Sequence, residues 1–202
     1  GRIWIGTDQD GIDILDKKTG EVRQLRNKTG DERSLQNNTV MVLYEDSSET
    51  MWVGTYKKGI SYFNECAFKF GAEYIGDISC IEEDKEGYVW LGTNDVGIIY
   101  WNSVTGNRAA FPQKGMDKLT TDAIVCILKA GDGKLWIGTF GGGLICYDNG
   151  RIIHYKKNIP ERQNSLAHNN VLALAEDKQG IIWIGTLGGG VQSLNPKTGL
   201  FT

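Results

Sequence analysis

Trp183-Ile184-Gly185-Thr186-Leu187-Gly188-Gly189-Gly190-Val191 decides how the rest of the chain is read, because its core recurs. The tetrapeptide Trp-(Ile/Val/Leu)-Gly-Thr stands at 4–7, 52–55, 90–93, 136–139 and 183–186, with intervals of 48, 38, 46 and 47 residues between successive Trp residues. Four residues after each Thr comes a glycine: Gly11, Gly59, Gly97, Gly143 and Gly190. An apolar run follows, such as Ile12-Asp13-Ile14-Leu15 or Ile60-Ser61-Tyr62-Phe63, and stops at Asp16, Asn64, Asn102, Asp148 or Asn195. Glycine tolerates positive φ and Asx side chains bond nearby backbone, so these positions read as turns between short strands.

The agreement extends upstream of Trp. Val40-x-Val42-Leu43, Ile78-x-Cys80-Ile81, Ile124-x-Cys126-Ile127 and Val171-x-Ala173-Leu174 align when counted back from their Trp. Acidic pairs close three of them (Glu45-Asp46, Glu83-Asp84, Glu176-Asp177), and Ala130 stands in the fourth where the others have Asp. Gly1, Gly87, Gly133 and Gly180 sit three residues before Trp, with Glu49 as the exception. One unit therefore reads as strand A over 40–44, a tight turn, strand B over 51–55, a loop, strand C over 60–63, a turn and a weaker strand D. Candidate D strands are 21–25, 67–70, 107–111 and 151–155.

A helical solenoid is disfavoured, because β-branched residues dominate these strands and glycine interrupts them every few positions. A single meander sheet of this size cannot bury both of its faces, whereas sheets stacked around an axis can. The expectation is an all-β β-propeller of about five four-stranded blades, with the first blade incomplete because it lacks strand A. Trp is the apolar plate between neighbouring blades, and the Gly two residues later lets the neighbour approach closely. Residues 1–202 are read as one propeller segment, an open arc or a slice of a larger, seven-bladed ring. Its exposed blade faces are expected to meet the remaining blades or a second copy.

Composition narrows the function classes. Hydrophobic residues make up 40% and charged residues 23%, ordinary for a soluble domain. A net charge of −3 supplies no basic field for nucleic acid or an anionic membrane. No apolar run reaches bilayer length and no signal peptide precedes Gly1, so no membrane contact by this segment is expected. The cysteines at 66, 80, 126 and 146 lack the C-x-x-C spacing of zinc or redox sites. Cys80 and Cys126 fall where other copies carry Val42 and Ala173, so they read as small thiols in an apolar slot; a disulfide stays open as an alternative.

In an antiparallel meander the A–B and C–D turns share one side, and the B–C and D–A loops share the other. The second side is where the copies differ. Its B–C loops read Asp8-Gln9-Asp10, Tyr56-Lys57-Lys58, Asn94-Asp95-Val96, Phe140-Gly141-Gly142 and Leu187-Gly188-Gly189. Its D–A loops end in Asn37-Asn38-Thr39, Thr121-Asp122-Ala123 and His168-Asn169-Asn170. Variable loops on a repeated frame are where binding specificity sits. Tyr56, Lys57, Asn94, Asp95, Asp122, Phe140, His168 and Asn169 are the candidate ligand-binding residues, a set of rings, amides and charges suited to a polar ligand such as a sugar. The competing reading is that Asn and Asp merely close turns. Asp8-x-Asp10-Gly11-x-Asp13 is partly like a calcium loop but lacks the distal Glu, so no metal is assigned. No cofactor motif and no Ser/His/Asp or Cys/His set is present, so no catalytic residue is assigned. Glu82-Glu83-Asp84 reads as a solvated turn rather than paired catalytic carboxylates.

Val171-Leu-Ala-Leu174-Ala-Glu-Asp177-Lys-Gln-Gly180-Ile-Ile-Trp183-Ile-Gly-Thr186-Leu-Gly-Gly189-Gly190-Val191 resembles the two-component regulator propeller repeat. The resemblance covers almost the whole chain; Ala130, Glu49 and the short third repeat depart from it. It implies the periplasmic sensor region of a hybrid two-component histidine kinase, similar to sensors that respond to oligosaccharides and control polysaccharide use. Two other readings are kept: a protein-interaction scaffold without a small-molecule ligand, and a propeller enzyme of the streptogramin-lyase type. Turnover in the last would need His or Glu converging on the axis, and the chain has two histidines, His154 and His168.

Overall fold

The computed structural model describes residues 1–31, 33–64, 69–102, 105–111, 119, 121, 123–157 and 164–202, with the backbone alone at 69–73. Its strands form five antiparallel sheets. The first holds β1 (Arg2–Gly6), β2 (Ile12–Asp16) and β3 (Val22–Leu25). The second holds β4 (Val40–Glu45), β5 (Met51–Thr55), β6 (Gly59–Asn64) and β7 (Lys69–Glu73). The third is β8 (Ile78–Glu83), β9 (Tyr88–Thr93), β10 (Ile98–Asn102) and β11 (Arg108–Phe111). The fourth is β12 (Ile124–Lys129), β13 (Leu135–Thr139), β14 (Leu144–Asp148) and β15 (Arg151–Tyr155), and the fifth β16 (Val171–Glu176), β17 (Ile182–Thr186), β18 (Gly190–Asn195) and β19 (Leu200–Phe201).

Within each sheet the strands lie in chain order, the arrangement of a propeller blade. The three-stranded first sheet is the incomplete blade that the sequence predicts. One D strand departs from expectation: in the second sheet it is Lys69–Glu73 rather than 67–70, and residues 67 and 68 lie outside those described. The chain divides into two compact units, Gly1–Ile81 and Glu82–Thr202.

Each residue of the recurring motif has a visible physical cause. Thr7, Thr55, Thr93, Thr139 and Thr186 each donate Oγ1–H to the carbonyl of the glycine four residues on, at 2.7–3.1 Å. That glycine has φ between +73° and +87° in all five copies, a conformation that a Cβ would strain. At Gly54 an added Cβ would lie 2.6 Å from Val42 of its own blade and 2.8 Å from Ile78 of strand β8. At Gly138 it would run into Cys126 and come 2.7 Å from Val171 of the next blade. The bare backbone is thus what lets the following A strand close in.

Trp136 and Trp52 are both 1% exposed, whereas Trp183, on the outer face of the fifth sheet, is 46% exposed. In the first unit the apolar core joins Ile12 and Ile14 to Met51, Val53 and Phe63, with Trp4 packed against it, its ring tilted and 5.8 Å from that of Phe63. In the second, Trp136, Leu144, Cys146, Val171, Ile182 and Ile184 fill the space between the fourth and fifth sheets. Burial pushes the Cys146 thiol up to about 12, so it is an inert apolar filler. Cys80, Cys126 and Cys146 are thiols rather than disulfides, and Cys66 lies outside the described residues.

An aspartate locks three of the A–B turns. Asp46 Oδ2 accepts the Trp52 indole N–H at 2.7 Å while its Oδ1 accepts the amides of Ser48 and Thr50. Asp84 does the same for Trp90, and Asp177 for Trp183. These bonds hold the Asp177 carboxyl below its usual range, with the indole the leading cause. Glu82-Glu83-Asp84 is therefore not simply a solvated turn. Asp84 is the clip, and Glu82 Oε1 accepts the Lys129 amide at 3.2 Å, burial raising its pKa.

The fourth blade has Ala130 at the clip position, 2% exposed, and the buried Trp136 Nε1 has no hydrogen-bond partner among the described residues. The turn itself is the same, with Ala130 N–H bonded to Lys134 O and Gly133 N–H to Ala130 O. An unsatisfied buried donor costs about 1–3 kcal/mol. Ala130→Asp is expected to supply the missing acceptor and raise the thermal midpoint by about 2–4 °C, as 1 kcal/mol does for a chain of this size. Scanning calorimetry checks it; a fall in the midpoint would show that carboxylate burial outweighs the new bond.

Candidate functional site

Within each unit a B–C loop lies beside a D–A loop, and a recurring set of bonds joins them. Tyr56 N–H donates to Thr39 O, Phe140 N–H to Ala123 O and Leu187 N–H to Asn170 O, each at 3.0 Å. Gly11 N–H donates to Asn38 O at 2.8 Å and Gly143 N–H to Asn169 O at 2.9 Å. Side chains reinforce this frame. Asn38 Oδ1 accepts the Asn27 amide at 2.7 Å, and Asn169 Oδ1 accepts the Lys157 amide at 2.8 Å. Asn37 Oδ1 caps Thr39 N–H, and His168 Nδ1 receives Asn170 N–H at 3.1 Å in the equivalent place.

Of the candidate residues, His168 and Asn169 thus use one polar atom each to shape the loop that carries them. Phe140 stands on the β13–β14 loop that Asn169 and Asn170 hold, so these two loops form one contiguous surface, and Phe140 is 55% exposed. Tyr56 and Lys57 form a second group in the first unit. Tyr56 is 42% exposed, Lys57 Nζ lies 4.9 Å from its ring centroid, and Lys57 N–H donates to Asp77 Oδ1 at 3.3 Å. A hydrogen bond to Tyr56 holds the Lys57 ammonium above its usual range. Lys57 also has φ +54° where Gly141 and Gly188 stand in the equivalent loops, so its side chain is displayed at a backbone cost of about 1 kcal/mol. Asn94 and Asp95 occupy the exposed β9–β10 loop, and Asp122 lies outside the described residues.

Three residues of these two groups escaped the candidate set. Asn170 ties two loops, its Oδ1 accepting Gly141 N–H at 2.7 Å. Asp77 anchors Lys57. Leu187 is exposed at the position of Tyr56 and Phe140. The equivalence of that position in every copy was the signal available for Leu187; nothing local marks Asp77. The three carboxylates of the calcium-like stretch go to separate partners: Asp10 to Arg26 at 2.6 Å, Asp13 to Gln24 at 2.9 Å and Asp8 to Thr39 at 3.2 Å. Among the described residues no three His, Cys, Asp or Glu side chains are grouped to hold a metal.

The family model described as two component regulator propeller matches residues 34–57, 75–95, 118–141 and 165–188. A comparison with curated proteins finds no match. Among solved structures, the chain is similar to the extracellular domain of a protein described as the hybrid two component system BT3049 from B. thetaiotaomicron, at 22% identity and TM-score 0.83 over 100% of this chain. It is also similar to the extracellular domain of BT4673 from the same organism, at 22% identity and TM-score 0.78 over 95% of this chain. The chain spans only 28% and 25% of those two chains. A catalytically inactive virginiamycin B lyase from Staphylococcus aureus, solved with quinupristin, shares the fold at 16% identity and TM-score 0.72, over 100% of this chain and 65% of the lyase. The repeated motif, the sheets that it builds and the family match agree: the chain carries two-component regulator propeller repeats.

Proposed function

We propose that this chain is a ligand-sensing segment of a two-component sensor, exposed to the periplasm, and that its ligand is an oligosaccharide. The repeat family and the likeness to extracellular domains of two-component systems support the sensing role and the location. One observation carries the ligand class. In three copies the same backbone bond holds the B–C loop, yet the residue that it presents changes from Tyr56 to Phe140 and Leu187. A fixed frame with a variable, exposed first residue is what a recognition surface needs. Rings such as Tyr56 and Phe140 stack on the apolar faces of sugar rings, while neighbouring amides and charges bond the hydroxyls.

The test is calorimetric titration of the chain with neutral oligosaccharides from glucan, mannan, galactan and arabinan. Binding is expected for one class, and Phe140→Ala or Tyr56→Ala should weaken it about tenfold, or ~1.4 kcal/mol, without moving the thermal midpoint. Indifference to every glycan, with a stable protein complex instead, would transfer the role to a scaffold. Conversion of a ligand into product would favour the lyase-type reading.

A further inference from the structure

We propose that the groove between the β5–β6 loop and the loop leading from β3 to β4 seats an anionic residue of the glycan, a sugar carrying a carboxylate or a sulfate ester. This rests on the oligosaccharide reading and adds the charge of the ligand and the place that holds it. The five B–C loops read Asp8-Gln9-Asp10, Tyr56-Lys57-Lys58, Asn94-Asp95-Val96, Phe140-Gly141-Gly142 and Leu187-Gly188-Gly189, and the second alone carries cations. Its two lysines have different settings. The Lys57 ammonium lies 4.9 Å from the Tyr56 ring centroid. Lys58 instead lines a groove of about 350 Å³ with Lys28, Asn27, Thr29, Asp31 and Gln36. Small-molecule sites occupy about 300–1,000 Å³, so one sugar residue fits.

The wall facing Lys58 is already formed. Asn27 donates its side-chain amide to Leu35 O at 2.7 Å. The buried Ser34 Oγ accepts Lys28 N–H at 2.9 Å and donates to Asp31 O at 2.8 Å. Leu35, 0% exposed, pins this loop into the apolar core of the first unit, and Gln36 N–H reaches Ser61 Oγ at 3.4 Å. A wall fixed before the ligand arrives loses little conformational freedom on binding.

The charge left in the groove is positive. The one carboxylate among these lining residues, Asp31, is engaged by Arg33: its Oδ1 accepts Arg33 N–H at 3.0 Å and lies 3.7 Å from Nε. Lys28 and Lys58 have no ion pair among the described residues. Their ammoniums would bond a carboxylate or sulfate roughly twice as strongly as a neutral hydroxyl. Tyr56 stands two residues from Lys58 on the same loop, so a sugar stacked on its ring would have its neighbour at the groove.

Calorimetric titration of the full chain with two matched pairs tests this: oligogalacturonate against its methyl ester, and a sulfated galactan oligosaccharide against its desulfated form. One acidic member is expected to bind about tenfold tighter than its neutral twin, with a gain that shrinks as salt is raised. The pair that shows the gain identifies the anion as carboxylate or sulfate. Lys28→Gln and Lys58→Gln together should erase it, whereas Lys17→Gln, which removes a charge from the C–D turn of the first blade, should leave it intact. Equal affinity within both pairs, or binding of neutral glycans alone, would overturn the inference and leave the oligosaccharide reading standing. So would a gain that survives the double lysine variant. Binding of no glycan, neutral or acidic, would remove both.

Discussion

Gly138→Val is expected to destabilise the chain by about 3 kcal/mol, the upper end for overpacking, and to lower its thermal midpoint by roughly 6–12 °C. The new side chain would be driven into Cys126 on one side and Val171, 2.7 Å from its first carbon, on the other. Both obstacles are carried by strands, so neither moves without disturbing a ladder of hydrogen bonds. Gly185→Val provides the control. The same residue in the same motif meets nothing nearer than Ala173 Cβ at 3.4 Å, and its cost should stay below about 1 kcal/mol. Equal losses for the two variants would mean that glycine serves strand flexibility rather than the approach of the neighbouring blade.

Trp52→Ala should cost about 3–5 kcal/mol in urea unfolding, the range for truncating a buried large aromatic. The indole is almost fully buried, and its removal also strips Asp46, itself buried, of its one indole donor. Trp183→Ala deletes a similar bond to Asp177, but from a half-exposed ring and a carboxylate that is only partly buried. Its loss should be less than half as large. Comparable values would argue that the Asp–Trp bond, and not burial between sheets, dominates the contribution of the motif tryptophans.

Much of this architecture is legible in one chain because the motif repeats. Strand A, strand B, the loop glycine and strand C recur at fixed offsets, and each recurrence has a cause that acts locally: the Thr–Gly bond, the positive φ, the close approach. The D strand of the second sheet was misplaced because its sequence carries no motif, only weak alternation around Lys69–Glu73. The candidate site was read less completely. Tyr56 and Phe140 could be picked out as exposed rings because a B–C loop has no core to bury them. His168 and Asn169 looked like ligand donors, yet one atom of each is engaged in loop closure, as Asn37 and Asn38 show in an earlier copy. Asn170 and Asp77 reach across loops far apart in sequence, and no local pattern announces such a bond.

The contact at Gly54 and that at Gly138 have one shape: a bare backbone receiving the β-branched side chain that opens the next A strand, Ile78 in one case and Val171 in the other. A mating surface of constant form makes its parts exchangeable. Duplication or deletion of one whole genetic cassette, by unequal crossing-over, would bring together the same two surfaces as before and require no compensating change at the joint. The number of such cassettes can therefore drift between lineages much faster than the residues at the joint, while the loops that each cassette carries are free to diversify.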